Sequence, residues 1–330
     1  MARYSQLGPL SIEDQAAICK QLVTFFDPLK TNSFKEELNQ PVSKDITPLS
    51  VMDFLQYHLA RGHDLWPIRL HVEALIRKLV SSQLLTSWSG TSHVERLFCM
   101  IELSNRQKQG WLWLGRALTS PFIANEIAKD IAYISGMTRQ GDIAVGTGLL
   151  ISSREILTCA HVINDIINIS EIKVGDNVAL LDHTAAHPQV DVGIIYLRDD
   201  MLPKLPDLAF RNAAILEEVL IAGYPSVPGS LGPVLTFQRG EICGHIPETQ
   251  ASWPMDLFSA IARPGNSGGP IVAMDGRVVG IVTRSLERQR EEADPMAPMP
   301  FFAAVPSNVI AKALAELDSG ATSLPWEDWS

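Results

Sequence analysis

The chain has 330 residues, 46% of them hydrophobic and 19% charged, with a formal net charge of −10. This composition excludes a disordered chain, the length suits two domains, and no stretch approaches the roughly 18 apolar residues of a membrane span. The charge is uneven: residues 1–140 hold 15 Lys/Arg against 13 Asp/Glu, and residues 141–330 hold 12 against 24. Such an acidic second half repels nucleic acid and acidic surfaces. MARYSQLGPLSIEDQ has no basic start leading into an apolar run, which reads as no secretory leader. Cys19, Cys99, Cys159 and Cys243 are far apart and match no metal-ligand spacing. Free thiols in a reducing compartment, hence a cytoplasmic protein, are the expectation, with no metal and no cofactor.

The first domain, placed at residues 1–137, reads as mainly helical. Ser11 can cap a helix running to Phe26, whose apolar residues Ile12, Ala16, Ile18, Leu22, Val23 and Phe26 recur at helical spacing. A second helix is predicted over about Pro48 to Ala60, stopped by Gly62, and a third over about Ile68 to Leu85. A turn follows at Trp88 to Ser92, and Trp111 to Leu114 reads as a short strand. Helices, a turn and short strands in this order fit a winged-helix arrangement. Arg69, His71, Arg77 and Lys78 would then be the contacts of a DNA-reading third helix. Phosphate binding needs a concentrated positive field, which a near-neutral domain lacks, so a protein-interaction or sensing module is favoured and nucleic acid is not expected as a partner.

Residues 115–137 read as a connector with a helix from about Pro121 capped by Thr119 or Ser120, and Gly136 to Gly141 as the boundary. From Ile143 the pattern changes to short apolar runs broken by glycine, which predicts an all-β domain over 138–317 followed by a tail, 318–330. Ala144 to Ile151 and Glu155 to Thr158 are predicted to form a hairpin that delivers His161 to a helical turn. Asp191 follows in an apolar alternating stretch, Val190 to Ile195, whereas its competitor Asp182 lies among polar residues.

Arg263-Pro264-Gly265-Asn266-Ser267-Gly268-Gly269-Pro270 has a mechanical reading. Its glycines let a tight loop turn where φ must be positive, so that successive N–H groups point into one volume, an oxyanion hole made by Gly265 and Ser267. A nucleophilic Ser267 beside those donors needs a base and an orienting carboxylate, and His161 and Asp191 supply them. Together these segments resemble the trypsin-like, chymotrypsin-fold serine proteases.

The resemblance implies a double β-barrel of chymotrypsin type with the site between the barrels, and a Ser-His-Asp triad cutting a protein or peptide substrate. It implies that Ile261, six residues before Ser267, sits at the base of the first specificity pocket, that Thr283, Arg284 and Ser285 bind the substrate backbone, and that Phe302, Ala303 and Ala304 form another wall. An uncharged base and an aromatic wall favour a small apolar residue before the cut. Asn266, where trypsin has an aspartate, argues against activation by zymogen cleavage and makes the chain more similar to the high-temperature-requirement proteases and the bacterial glutamyl endopeptidases. Residues 287–299 read as a mobile rim loop, and Trp326 and Trp329 as a tail docking on the body or on a partner. The layout is similar to bacterial proteins that join an effector-associated domain to such a protease, a family linked to immunity or conflict. The leading expectation is therefore a serine endopeptidase regulated by its first domain. The competing readings are a catalytically silent peptide-binding module of protease fold and a DNA-associated regulator.

Overall fold

The computed structural model describes residues 8–42, 47–88, 95–99, 101–201, 204–247, 253–283, 302–317 and 322–327. Arg284, Ser285, the rim loop 287–299 and Trp329 lie outside them. The chain divides into two compact units, Met1–Phe122 and Ile123–Ser330.

In the first unit, helix α1 (Ile12–Phe25) begins where the Asp14 N–H donates to Ser11 Oγ at 3.0 Å, and it buries Ile18, Leu22, Val23 and Phe25. Helix α2 (Thr31–Glu37) is followed by a short strand β1 (Leu49–Ser50) and helix α3 (Val51–Ala60). Helix α3 starts later than Pro48 because Ser50 and Asp53 form a reciprocal capping box. Helix α4 (Arg69–Ser81) turns Val72, Leu75, Ile76 and Leu79 inward. Strands β2 (Thr86–Trp88) and β3 (Arg96–Phe98) complete an antiparallel sheet of order β1-β3-β2. Phe25 of α1, Phe34 of α2 and Phe54 and Tyr57 of α3 meet in tilted and edge-on contacts with ring centroids 4.8–5.4 Å apart. The strand expected at Trp111 to Leu114 is instead a helical turn, Leu112–Leu114. Leu114 N donates to Trp111 O at 2.9 Å, the i to i+3 bond of a helical turn.

Helix α5 (Gly115–Ile127) starts well before Pro121 and breaks at Thr119, whose φ of 63° is non-helical. Pro121 constrains the residue before it and removes a donor, so the helix cannot run through unbroken. The boundary expected at 137/138 falls inside strand β4 (Ile131–Thr138), and the units divide at Phe122/Ile123 instead. Ile131, Ala132 and Ile134 are fully buried in pairing with the next strand, which ties this stretch to the β domain.

The second unit holds two antiparallel β-structures. In the first, β4, β5 (Ile143–Leu150), β6 (Glu155–Thr158), β7 (Ile166–Val174), β8 (Asn177–Ala179), β9 (Leu181–Ala186) and β10 (Gly193–Leu197) form a seven-stranded sheet of order β8-β7-β4-β5-β6-β10-β9, with helix α6 (Ala160–Asp165) between β6 and β7. In the second, β11 (Glu218–Gly223), β12 (Thr236–Ile246), β13 (Met255–Phe258), β14 (Pro270–Ala273), β15 (Val278–Val282) and β16 (Phe302–Pro306) close into a barrel. Of the two expected barrels, this one is closed in its hydrogen bonding, and its core gathers Val219, Ile221, Ile242, Phe258, Ile271 and Val279. Helix α7 (Ser307–Leu317) packs on β15 and β16. Part of the tail returns to the body: Phe210 N donates to Pro325 O at 2.7 Å, Glu327 N donates to Phe210 O at 2.9 Å, and the buried Arg277 pairs with Glu327.

Candidate active site

His161 sits in the first turn of α6, which the β5–β6 hairpin positions. Asp191 is in the turn before β10 rather than in the strand itself. Its carboxylate takes two bonds from one residue: His161 N donates to Oδ1 at 2.9 Å, and His161 Nδ1 lies 2.8 Å from Oδ2. The Thr283 hydroxyl donates to the same Oδ2 from the end of β15. Burial alone would raise the Asp191 carboxyl, but the His161 bonds and charge and the Thr283 hydroxyl outweigh it and hold the pKa at about 2. Asp191 therefore stays ionised, keeps the proton on His161 Nδ1, and leaves Nε2 as the accepting nitrogen.

The nucleophile loop is stitched between both β-structures. Ser267 O accepts from Thr147 N at 2.9 Å, Gly268 N donates to Val282 O at 2.8 Å, and Val282 N donates to Gly269 O at 2.8 Å. Thr147 Oγ1, fully buried, donates to Gly265 O at 2.6 Å and accepts from Tyr224 N at 2.9 Å. Two glycines are required here. Gly265 has φ 101°, and a Cβ on it would meet Tyr224 O at 2.4 Å; Gly268 has φ 83°, and a Cβ on it would meet Thr147 O at 2.2 Å.

His161, Gly265, Ser267, Thr283 and Phe302 all line one cleft of about 520 Å³. Among the described residues the N–H groups of Gly265 and Ser267 have no hydrogen-bond partner, and neither has Ser267 Oγ. Ser267 Oγ and His161 Nε2 share no hydrogen bond among the described residues, as is common before a substrate is bound. The cleft can hold a carbonyl with its oxygen on the two N–H groups and its carbon against the hydroxyl.

Some expected site residues fall elsewhere. Ile261 is 44% exposed and does not line the cleft, whereas Ala262, Arg263 and Phe302 do. Ala260 is buried against Gly240 in the irregular stretch after β13, and Ile261 beside it faces solvent, so the residue six before Ser267 is not part of the cleft lining. Ala303 is buried, and its carbonyl accepts from Thr283 N at 3.0 Å; Phe302, stacked on Phe258 at 6.0 Å, forms the wall. Thr283 contacts the cleft, but its hydroxyl serves Asp191. Sequence reasoning missed Thr147 and Thr158, whose hydroxyl donates to Thr147 O at 2.7 Å; the threonine in Gly146-Thr147-Gly148 was the available signal.

Ligand-type atoms of Cys159, His161 and Asp191 lie within 4.8 Å of one another. Their existing bonds account for this grouping. Cys159 Sγ donates to Val282 O at 3.2 Å, and burial, reinforced by Asp191, pushes the thiol well above its ordinary range, so it is a donor and not a thiolate ligand.

The family profile of the trypsin-like peptidase domain matches residues 146–281. The chain is similar to serine protease Rv3671c of Mycobacterium tuberculosis, with 28% identity over 177 residues covering 50% of this chain and 42% of that protein. It is similar to serine protease HTRA1A of Danio rerio, with 32% identity over 186 residues covering 54% of this chain and 36% of that one. Among solved structures, the active form of Rv3671c protease from M. tuberculosis aligns at 22% identity and a TM-score of 0.49, covering 62% of this chain and 86% of that one. The chain thus spans less than half the length of these curated relatives.

Proposed function

We propose, since residues 146–281 match the trypsin-like peptidase domain, that the chain is a serine endopeptidase acting on a protein substrate. The observation that carries this reading is the doubly bonded Asp191–His161 pair facing the same cleft as Ser267 and two unoccupied N–H donors. Ser267 Oγ attacks the scissile carbonyl while His161 Nε2 takes its proton and then returns it to the leaving amine. Asp191 orients His161 and stabilises the imidazolium, and Gly265 N and Ser267 N bind the oxyanion, each such donor being worth about 10² to 10³ in rate. An acyl-enzyme forms as the amine leaves, and water attacking by the same route releases the acid.

Ala262, Val282 and Phe302 around the cleft support a small apolar residue before the cut. Asn266 is 1% exposed, and a carboxylate buried in its place would need a cationic partner, which supports a site that forms without amino-terminal cleavage. We assign regulation to the amino-terminal unit through a protein partner. On α4, Arg69 is paired with Glu73 at 2.9 Å and Lys78 reaches Gln15, which supports a protein partner over nucleic acid. The four unpaired cysteines support a reducing, cytoplasmic setting, and the two-domain layout supports a role in bacterial defence or conflict.

The test is active-site labelling of the full chain with a fluorophosphonate, beside Ser267→Ala. Labelling of the parent and none of S267A is expected. A folded parent that neither labels nor cleaves casein, with or without residues 1–122, would leave a peptide-binding module instead.

A further inference from the structure

The His187 ring is almost wholly enclosed, with the side chain 5% exposed. Its Nδ1 accepts two backbone bonds, from Gln189 N at 3.2 Å and Val190 N at 2.9 Å. An imidazole nitrogen that accepts carries no proton, so the proton is on Nε2, which donates to Glu316 Oε2 at 3.1 Å. The backbone closes the same turn: His187 N donates to Val192 O at 2.8 Å, and Val192 N donates to Val190 O at 2.7 Å. Asp191 sits inside this knot, directly after the two peptide groups that the ring holds.

We infer that His187 is a positioning residue for Asp191: its ring folds residues 187–192 into the turn that aims the carboxylate at His161, and Glu316 locks the ring from α7. The inference rests on the reading of Asp191 as the orienting carboxylate. Three features support it. The ring's two ends serve different structures, Nδ1 the turn on the seven-stranded sheet and Nε2 the helix packed on the closed barrel. With Thr283, which reaches Asp191 from β15, this makes two ties from the second β-structure to one carboxylate. The two His161 bonds to Asp191 are also directional, one to each oxygen, so a shift of the turn by a fraction of an ångström weakens both at once. Glu316, 53% exposed, is accessible at the far end of this chain of bonds.

Removing the ring leaves the Gln189 and Val190 N–H groups without this acceptor and frees the turn. Asparagine can replace the accepting atom, since its amide oxygen bonds backbone N–H groups two and three residues on. In the full chain, fluorophosphonate labelling gives a maximal rate constant and a half-saturating concentration separately. His187→Ala is expected to lower the rate constant about ten- to a hundredfold with half-saturation unchanged, the size of effect that small misplacement of a catalytic group produces. His187→Asn is expected to recover most of the loss. Glu316→Ala, an exposed change that leaves the fold intact, is expected to cost about threefold. The low-field proton resonance of His161 Nδ1–H, readable whether or not the enzyme turns over, should broaden in H187A and sharpen again in H187N. Folded H187A and E316A with parental labelling and an unchanged resonance overturn the inference. Equal loss in H187A and H187N also overturns it, because packing and not the accepting nitrogen would then matter. If the parent does not label through Ser267, the proposed activity fails, and the resonance still decides the role of His187.

Discussion

Thr147→Val tests how the oxyanion loop is held. The two side chains have nearly the same shape, so the change removes one oxygen from a site that is 0% exposed and adds no bulk. That oxygen donates to Gly265 O at 2.6 Å and accepts from Tyr224 N at 2.9 Å. Two buried backbone groups lose a partner, at about 1–3 kcal/mol each, so a loss of about 2–6 kcal/mol in stability is expected. The functional cost is separate. Gly265 O belongs to the peptide unit after Gly265, and releasing it loosens the residue whose N–H is one oxyanion donor. Losing one such donor slows acylation by about 10² to 10³. The assay pairs urea unfolding with the fluorophosphonate rate constant, and Thr147→Ser, which keeps the hydroxyl, is the control. A folded T147V that reacts at the parental rate would refute the claim that this hydroxyl holds the donor in place.

Two further outcomes follow from the buried carboxylates. Asp130 is 0% exposed, and burial pushes its carboxyl up to about 7, with Lys129 and the Leu205 N–H only partly offsetting this. Its pKa in the fold exceeds that of the unfolded chain, about 3.9, so its contribution is full below pH 4 and lost as pH rises to about 7, amounting to about 4 kcal/mol. Asp130→Asn should therefore raise the melting temperature at pH 8 and leave it nearly unchanged at pH 4; equal effects at both values would count against a buried ionisable group. Asp191 has the opposite sign. Its contribution is present above about pH 4 and lost as pH falls towards 2, so an activity loss between pH 5 and 8 does not arise from this carboxylate. Thr283→Val removes one of the donors that hold Asp191 low, and about a tenfold fall in rate constant is expected, restored by Thr283→Ser. A T283V variant that matches the parent across the pH profile would show that His161 alone suffices.

The amino-acid order by itself marked out the candidate site and the sequence of its parts. Glycines at 265 and 268, a serine between them, a histidine after a hairpin and an aspartate before an apolar strand are each required by local geometry, so each leaves a local mark. The helical first half and the β-rich second half were legible for the same reason, since periods of 3.6 and 2 are written within single elements. Strand β4 was not legible, because Ile131 to Thr138 is buried through pairing with β5 and β7 and carries no alternation of its own. Only tertiary structure decided which side chains reach the cleft. Ile261 and Ala262 differ by one residue, yet in the irregular stretch after β13 the first faces solvent and the second lines the cleft. The ties from Thr147, Thr283 and His187 join residues 118, 92 and 129 positions apart in the chain. A bond of that span depends on how two β-structures dock, which no local spacing records.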